Sequence, residues 1–281
     1  MAWITGAAGL IGNSLLQTAD VHAPRWRPRP LTRPELDLTC FDSVRALFQK
    51  EQPALVIHSA ALSRSPDCQK SPEQARLQNV DVTAHLAELA SNIPLIFLSS
   101  DLVFDGQRGN YTETDAVNPL SVYGETKATS EALVLRNPRH TVVRTSLNGG
   151  ISPSGVRGFN EELRQAWQRG VTLRLFTDEF RSPIPAIVTA RALWELAAQN
   201  DNTGLFHLGG AERLSRWQIG RLIADRWPQL NPKIEADTTA GYTGAPRPPD
   251  CSLNSEKLQK RLSFRLPSLG DWLREHPDEP F

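Results

Sequence analysis

The stretch "ITGAAGLIG", residues 4–12, places three glycines between a short apolar run and an amphipathic segment. Glycines at such a junction permit a tight turn, the approach of a pyrophosphate to the backbone, and close packing of a helix on a strand. The G-x-x-G-x-x-G spacing differs from the better-known G-x-G-x-x-G, but it works by the same mechanics. Glycine triplets also occur in ordinary turns, so the position after the first strand is what predicts a dinucleotide site. The predicted contacts are Gly6, Gly9, Leu10, Ile11 and Gly12.

Outward from this turn, the first two-thirds of the chain alternates short apolar runs with amphipathic segments. The apolar runs are "AWIT", "PRPLT", "ELDLT", "ALVIHSAA", "PLIFLSS" and "HTVVRTS". Continuous apolar runs that alternate with helices predict buried parallel strands joined by crossovers. We therefore predict an α/β fold with a Rossmann-type, doubly wound parallel sheet. One helix start is marked by Ser71, Pro72 and Gln74, which predict a capping box.

The regular alternation ends near residue 150, where the loop "NGGISPSGVRG" begins. We predict that residues 1–150 form an NAD(P)-binding Rossmann domain, to which a strand and a helix from about 185–210 are added. Residues 151–184 and 211–281 would form a smaller, partly irregular substrate-binding region over the carboxyl ends of the strands.

Composition excludes several classes of protein. The 281 residues contain 31 Lys plus Arg and 31 Asp plus Glu, so no strong net field points to nucleic acid or an anionic membrane. The mean hydropathy of -0.37 is that of an ordinary globular protein, and no apolar run reaches the roughly 20 residues of a membrane span. Three scattered cysteines without metal-type spacing, and no visible signal peptide, predict reduced thiols in a cytoplasmic protein without a bound metal.

The ends of the predicted strands indicate how a dinucleotide would be held. Arg33 occupies the position after the second strand where NAD-type sites place a carboxylate, so NADPH is favoured, with NADH left open. A solvated loop arginine is the alternative reading. Asp37 and Leu38 end the predicted third strand, "ELDLT", and would meet the adenine. Ala60 and Ala61 end the fourth, in "HSAA", and would leave room for the ribose and phosphates.

Tyr123 and Lys127 lie four residues apart in "SVYGETKATSEAL", so they share one face of a predicted helix. Such a pair is either a solvated surface pair or an acid–base pair in which the ammonium lowers the pKa of the phenol. Ser100 and Asp101 follow the strand that precedes this helix. Their closeness to Tyr123 and Lys127 in the predicted sheet favours the acid–base reading.

Together these residues resemble the extended short-chain dehydrogenase/reductases. The resemblance rests on "TGAAGLIG", "LTRPELDLT", "HSAA", "LSSDLVFDG", "YGETK", "RTS" and "DEFRSPIPA", and it continues through "GLFHLGG" and "RPPDCSLNSEKL". Within the family, the chain is similar to dTDP-4-dehydrorhamnose reductases and to the regulatory beta subunit of methionine adenosyltransferase. The resemblance implies that Tyr123 donates a proton, that Lys127 holds the nicotinamide ribose and lowers the pKa of the tyrosine, and that Ser100 hydrogen-bonds the substrate carbonyl.

Two departures from the family's patterns bear on the substrate. Asp101 is followed by Leu102, so the second carboxyl group that dehydratases use is missing. Leu147 stands after "RTS", where rhamnose-type reductases carry a tryptophan. Ser100, Asp101, Arg181 and Arg247 are predicted to contact the substrate. The two arginines would suit a nucleotide diphosphate, because guanidinium groups bind phosphate bidentately.

The sequence therefore predicts an NAD(P)H-dependent reductase of a 4-keto nucleotide sugar, as in dTDP-rhamnose biosynthesis. The alternatives are a non-catalytic, NADP-binding regulatory subunit and a nucleotide-sugar epimerase. The identity of the sugar stays open, and so does the question of whether the protein forms a homodimer. The remaining notable side chains are predicted to be structural: Trp167, Trp194, Trp217, His58 and His85.

Overall fold

The computed structural model describes residues 1–199, 202–279 and 281. Its centre is a six-stranded parallel sheet in the order β10-β5-β4-β3-β1-β2. These strands are β1 (Ala2–Thr5), β2 (Pro28–Leu31), β3 (Leu55–His58), β4 (Leu95–Ser100), β5 (Thr141–Thr145) and β10 (Gly204–Leu208). The chain leaves β1 for β2 on one side and then returns to β3 on the other, so a crevice opens at the carboxyl ends of β1 and β3. The predicted Rossmann-type sheet is confirmed.

The predicted third strand, "ELDLT", is wrong. Residues 32–40 form a loop in which the Leu36 N–H donates to the Thr32 carbonyl at 2.9 Å. The Asp37 carboxylate accepts hydrogen bonds from the backbone and the hydroxyl of Thr39, at 2.9 and 2.8 Å. These local bonds compete with a ladder, as Asp and Thr side chains commonly do. "HSAA" consequently follows the third strand of the chain and not the fourth.

Strand β2 therefore forms one edge of the sheet, beside β1 alone. Its sequence is "PRPL", and in the parallel register Pro28 lies opposite Ala2 and Pro30 opposite Ile4. Proline has no N–H to donate, so it is tolerated on edge strands and discourages further pairing there.

Helices cover both faces of the sheet. They are α1 (Leu10–His22), α2 (Phe41–Glu51), α3 (Ser65–Lys70), α4 (Pro72–Arg76), α5 (Val82–Leu89), α6 (Val122–Val134), α7 (Phe159–Gln168), α8 (Ala186–Ala198), α9 (Arg216–Arg226), α10 (Glu256–Gln259) and α11 (Leu269–Glu275). A π-helical turn, Leu77–Asp81, joins α4 to α5. None of the helices in the described residues is long and apolar enough to cross a membrane.

The start of α4 at Pro72 agrees with the sequence, but the predicted capping box is wrong. The Ser71 side chain makes no capping hydrogen bond. Ser71 also ends α3, and its backbone N–H already donates to the Asp67 carbonyl at 3.0 Å. The N–H that Gln74 would have accepted is therefore occupied.

Two apolar layers hold the sheet between its helices. One contains Trp3, Phe97 and Val142 and packs under α2, α5 and α6. The other contains Ile4, Leu98 and Val143, and packs against α1 and α8. Burying each large side chain of these layers stabilises the fold by about 1.5–3 kcal/mol. Trp167 and Trp194 are buried in the second layer, as predicted, whereas Trp217 is half-buried.

After β5 the chain alternates between the central sheet and a second region. Three two-stranded sheets build that region: β6 (Asn148–Gly149) with β9 (Ile184–Pro185), β8 (Phe180–Arg181) with β11 (Leu214–Ser215), and β7 (Leu173–Phe176) with β12 (Ile234–Asp237). A further bridge joins Phe180 to Asp250. These pairings bring distant segments together beside the crevice. The division of the chain into two functional regions stays a prediction.

Candidate active site and cofactor cleft

A cleft of about 680 Å³ opens at the carboxyl ends of the central strands. Its walls are the glycine turn, the ends of β2, β3 and β4, the first turns of α6, and residues of the second region. Every residue that the sequence assigned to a cofactor, a substrate or catalysis lines this cleft. The structure therefore brings the predicted set together, while the individual roles stay predictions.

The three glycines of the turn serve different purposes. Gly6 has a φ of +67°, and a Cβ there would lie 2.7 Å from the Ala60 nitrogen. A Cβ on Gly12 would lie 2.3 Å from the Gly6 carbonyl oxygen, so Gly12 allows α1 to pack on the turn. A Cβ on Gly9 would approach only the Gly6 carbonyl oxygen, at 3.1 Å, and the backbone there is extended. Gly9 is thus the glycine that keeps the cleft itself open.

The first turn of α1 fits a pyrophosphate. Gly9 is the N-cap residue and provides no capping side chain, and the first turn carries no acidic residue. The first N–H groups of a helix lack intrahelical partners, and the helix dipole adds partial positive charge at this end. Leu10 and Ile11 present such groups beside the cleft. The residues present therefore fit the dinucleotide that the sequence predicts.

Arg33 and Asp37, which the sequence assigns to the adenosine of the cofactor, line the cleft. Arg33 is exposed, and no hydrogen bond or ion pair of its guanidinium occurs among the described residues. Hydrogen bonds from Thr39 lower the pKa of Asp37, and the charge of Arg33 contributes. A free guanidinium is what a cofactor phosphate would need at this position.

The end of β3 is built from small residues over a buried histidine. Ala60 packs against Gly6, and the Thr5 hydroxyl accepts the N–H groups of Ser59 and Ala60 at 3.2 and 3.3 Å. His58 contacts the same hydroxyl at 2.7 Å, and burial lowers the pKa of this histidine to about 3. His58 is therefore a neutral structural residue, as predicted. His85 is structural as well, since its ring contacts the Phe41 carbonyl at 3.1 Å.

Ser100 is the last residue of β4, and Asp101 begins the short 3₁₀ turn that follows it, Asp101–Val103. Both line the cleft and are buried. The Ser100 hydroxyl donates to Asp101 Oδ1 and accepts from the Leu102 N–H, each at 3.1 Å. The Ser146 hydroxyl donates to Asp101 Oδ2 at 2.8 Å. Burial raises the pKa of Asp101, and the Arg181 charge opposes that shift.

Tyr123 and Lys127 lie on α6, as the i, i+4 spacing predicts. The helix begins after Ser121, whose hydroxyl accepts the Gly124 N–H at 3.2 Å. The Lys127 ammonium lies 4.1 Å from the centre of the Phe97 ring, and burial lowers the pKa of this lysine to about 7. A buried amine whose pKa is lowered in this way takes up protons when an anionic ligand arrives, because the ligand favours the ammonium.

The predicted effect of Lys127 on the phenol stays a prediction. The pKa of Tyr123 lies above its ordinary value, raised first by burial and then by the negative charge of Asp101. A hydrogen bond with Ser100 opposes the rise. Lys127 is itself desolvated, and its lowered pKa makes its charge in the free chain depend on pH near neutrality.

Sequence reasoning missed three residues that hold α6 in place. Asn79, in the π-helical turn, accepts the Leu62 N–H at 2.8 Å and donates to the Thr126 hydroxyl at 2.9 Å. It thereby ties the loop after β3 to the helix that carries Tyr123. Glu131 of α6 forms a buried, forked ion pair with Arg144 of β5, with the shortest distance 2.7 Å. The π turn that places Asn79 has no signal in the sequence.

The far wall of the cleft is a charged network around Glu179, another residue that the sequence did not single out. Glu179 is buried and bonds Arg181 at 3.1 Å and Arg247 at 2.5 and 3.0 Å. Arg181 also donates to the carbonyls of Phe180 and Pro248, and its Nε lies 3.7 Å from Asp101. The two arginines predicted to bind substrate phosphate are therefore already paired with protein groups.

Two other arginines line the same wall without such a partner. The guanidiniums of Arg216 and Arg157 form no hydrogen-bonded ion pair among the described residues. Burial lowers the pKa of Arg216, with Glu179 the nearest opposing charge. Arg157 is exposed on the loop before α7, where its backbone N–H donates to Glu161 at 2.8 Å. This wall therefore has positive charge that its own carboxylates leave uncompensated.

A parallel sheet with a glycine turn, and a serine, a tyrosine and a lysine over one cleft, define an extended short-chain dehydrogenase/reductase. The chain belongs to the family described as RmlD substrate binding domain, whose model matches residues 1–278. The family predicted from the sequence is confirmed.

Relatives of two kinds share this fold. The chain is 31% identical to a dTDP-4-dehydrorhamnose reductase of Aggregatibacter actinomycetemcomitans, over 96% of this chain and 95% of that protein. It is 30% identical to methionine adenosyltransferase 2 subunit beta of Xenopus laevis, over 94% and 85% of the two chains. It is also similar to the crystal structure of the Bacillus anthracis dTDP-4-dehydrorhamnose reductase in complex with NADP, with a TM-score of 0.87, 22% identity, and coverage of 98% and 97%.

Proposed function

We propose that the protein uses NADPH to reduce the keto group of a 4-keto nucleotide sugar. The observation that carries the proposal is the convergence of Ser100, Tyr123 and Lys127 with a dinucleotide turn and an arginine-rich wall in one cleft. A ketone reduction needs a hydride source, a proton donor and groups that hold the substrate, and these walls offer all three. The relatives named as dTDP-4-dehydrorhamnose reductases support the same chemistry.

In this reaction the bound nicotinamide supplies the hydride. Tyr123 donates its proton to the oxygen of the former ketone, so that an alcohol forms and a tyrosinate is left. Lys127 becomes an ammonium in the presence of the anionic cofactor and stabilises that tyrosinate. Raising the pKa of Tyr123 keeps the phenol protonated before each turnover, which is the form a reductase needs.

The charged wall suits the diphosphate of a nucleotide sugar. Glu179 balances one of the two arginines bound to it, and Arg216 and Arg157 add two further positive charges. A nucleoside diphosphate carries a compensating negative charge on its phosphates. Guanidinium groups are suited to such phosphates because they bind two oxygens in a fixed plane.

The direct test is NADPH oxidation by the purified protein with a panel of 4-keto nucleotide sugars that includes dTDP-4-dehydrorhamnose. We expect turnover with at least one of them, and loss of that turnover in Tyr123→Phe. Tyr111→Phe, which removes a phenol that bonds Asp105 and does not line the cleft, serves as the matched control. Absence of turnover with every member of the panel would contradict the proposal.

The similarity to methionine adenosyltransferase 2 subunit beta favours a second candidate, a regulatory subunit that binds NADP without turning over a substrate. This candidate predicts a stable complex with the catalytic subunit of a methionine adenosyltransferase and no reductase activity. An epimerase would instead retain NAD through purification, which mass spectrometry of the released cofactor would detect. In each case we place the protein in the cytoplasm, where its three free cysteines would stay reduced.

A further inference from the structure

Glu179 is the carboxylate at the centre of the arginine wall, and both of its oxygens are engaged. Oε1 lies 3.1 Å from Arg181 Nη2 and accepts from Arg247 at 3.0 Å, and Oε2 accepts from Arg247 at 2.5 Å. The backbone N–H of Arg216 donates to the Glu179 carbonyl at 2.9 Å, which brings a third arginine to the same place. Glu179 is 2% exposed, so water and salt screen its charge only weakly.

The two arginines that contact this carboxylate are also held by other groups. Arg181 donates to two backbone carbonyls, at 2.6 and 3.1 Å. The Arg247 guanidinium lies 5.3 Å from the ring centres of both Phe176 and Tyr242. Backbone contacts and aromatic packing therefore orient the two guanidiniums. What Glu179 adds, and these neutral groups do not, is a negative charge.

The other carboxylates that line the described part of the cleft are engaged elsewhere. Asp37 accepts from the backbone and the hydroxyl of Thr39, at 2.9 and 2.8 Å, on the proposed cofactor side. Asp101 accepts from two serine hydroxyls and reaches Arg181 only at 3.7 Å. Glu179 is thus the carboxylate that sets the charge among the three arginines around it, and it leaves two of their three positive charges uncompensated.

The phosphates of a nucleotide sugar and those of a free nucleoside diphosphate differ by about one charge. Both phosphates of the nucleotide sugar are esterified and carry about one negative charge each, whereas the terminal phosphate of the free diphosphate carries roughly −1.5 to −2 near pH 7. The attraction for that extra charge grows with the positive charge of the wall.

We infer that Glu179 is a specificity-determining residue. By lowering the positive charge of the wall, it weakens the binding of a free nucleoside diphosphate more than the binding of the nucleotide sugar. The inference rests on the proposed function and deepens it, since it states how the substrate is distinguished from a nucleotide that would compete for the same arginines.

Isothermal titration of dTDP and dTDP-glucose measures this selectivity, because dTDP-glucose has no keto group to be reduced. In Glu179→Gln the wall has one more positive charge. The affinity for dTDP should therefore rise relative to that for dTDP-glucose by about 5- to 30-fold, the effect of one charge on another at roughly 8 Å in a partly solvated site. UDP and UDP-glucose form a second pair with another base. An unchanged ratio in both pairs would overturn the inference.

Two variants separate the charge of Glu179 from its shape and from a general change of net charge. Glu195→Gln is the matched control, since Glu195 pairs with Arg191 at 3.2 Å and does not line the cleft. Glu179→Asp keeps the charge on a shorter side chain. Both should have the selectivity of the parent. A change in either variant as large as that in Glu179→Gln would contradict the inference.

Removing one charge of each sign gives a second test. Glu179→Gln combined with Arg247→Gln restores the charge of the wall, so the ratio of the two affinities should return towards that of the parent. Arg247→Gln alone should shift the ratio the other way, in favour of dTDP-glucose. This variant also provides the answer if Glu179→Gln shows no cooperative thermal unfolding. An unchanged ratio in Arg247→Gln, or a shift towards dTDP, would overturn the inference.

The results for this inference and for the proposed function can be distinguished. If the nucleotides bind with the expected ratios and no ketone is reduced with NADPH, the proposed reduction fails and the inference about Glu179 stands. If a ketone is reduced and Glu179→Gln leaves the ratio unchanged, the proposed function stands and the inference fails. If the parent binds none of these nucleotides, the arginine wall is not a diphosphate site and the inference fails.

Discussion

The cofactor side of the cleft and its substrate side are built by different means. On the proposed cofactor side, the lining consists of backbone and small residues at fixed places in the fold, such as Gly9 and Ala60. On the substrate side, charged side chains from segments far apart in sequence meet around buried Glu179. The position of the backbone turns therefore determines the shape of the cofactor side. The pairing of charged side chains determines the net charge of the substrate side.

This difference has a consequence for recognition. A backbone site binds what every dinucleotide shares, namely the pyrophosphate, and so it varies little with side chains. A wall of arginines that contains its own carboxylate attracts anionic ligands in proportion to the positive charge that the carboxylate does not neutralise. Within one cleft, cofactor binding should therefore depend on steric room, and substrate binding on the charge balance of the wall.

Substitution of the glycines should break the cofactor side most severely. In Gly9→Val the side chain would occupy the cleft, so we expect no measurable NADPH binding in a protein of nearly parental stability. In Gly12→Val the side chain would meet the Gly6 carbonyl, so we expect a loss of stability of about 1–3 kcal/mol or more. Thermal unfolding with and without NADPH distinguishes the two. Protection of Gly9→Val by NADPH as large as that of the parent would show that the turn is only structural.

Removing the phenol proton should have the next largest effect. Tyr123→Phe should lower kcat by about 10²–10⁴-fold, because the proton donor is lost while the walls of the cleft remain. Cofactor affinity, measured by NADPH fluorescence, should change little. Turnover near that of the parent would remove Tyr123 from the mechanism and transfer the role of proton donor to another group.

The same difference explains what could be predicted from the sequence. The glycine turn between the first strand and its helix and the Tyr123–Lys127 spacing are local patterns, and the structure places them as expected. The meeting of Glu179 with Arg247 could not be found in this way, because the two residues lie 68 positions apart. The same holds for the placing of Arg216 beside Glu179. Arg181 and Arg247 were predicted as free anion contacts, since sequence does not show that a buried carboxylate already binds them.

Two arginines sharpen the comparison because they lie at opposite ends of the cleft. Arg33→Ala should weaken NADPH binding by on the order of 10- to 150-fold, the value of a lost charge-assisted bond of about 1.5–3 kcal/mol. NADH, which lacks the 2′-phosphate, should bind almost as before. Arg216→Ala should leave NADPH binding unchanged and weaken binding of dTDP to a similar extent. Isothermal titration of each variant with each ligand measures all four effects.

Arg221→Ala provides the control for both variants. Arg221 lies on α9, as Arg216 does, but it is exposed and packs over the Trp217 ring outside the cleft. We expect Arg221→Ala to change the affinities for NADPH, NADH and dTDP by no more than the error of the measurement. Equal losses of NADPH and NADH in Arg33→Ala would show that Arg33 is a solvated loop residue, and unchanged dTDP binding in Arg216→Ala would remove it from the substrate wall.

The smallest effect concerns the pH dependence of cofactor binding, and it arises from Lys127, where the two sides meet. Burial lowers the pKa of this lysine to about 7 in the free chain. An anionic dinucleotide favours the ammonium form of Lys127, so the pKa of Lys127 must rise on binding. Above pH 7 the bound protein therefore holds more protons than the free protein. By linkage, NADPH binding takes up as much as one proton, and affinity falls as pH rises above 7, by at most about tenfold per pH unit.

Calorimetry in buffers of different ionisation enthalpy measures this proton uptake directly. Repeating the titration with NADH removes any contribution from the 2′-phosphate, and Lys127→Met should abolish both the uptake and the pH dependence. His58 and His207 do not titrate in this range, because burial lowers the pKa of each to about 3. Binding at pH 8 without proton uptake would mean that Lys127 is already charged in the free protein. The phenol would then have the cationic neighbour that the sequence predicts.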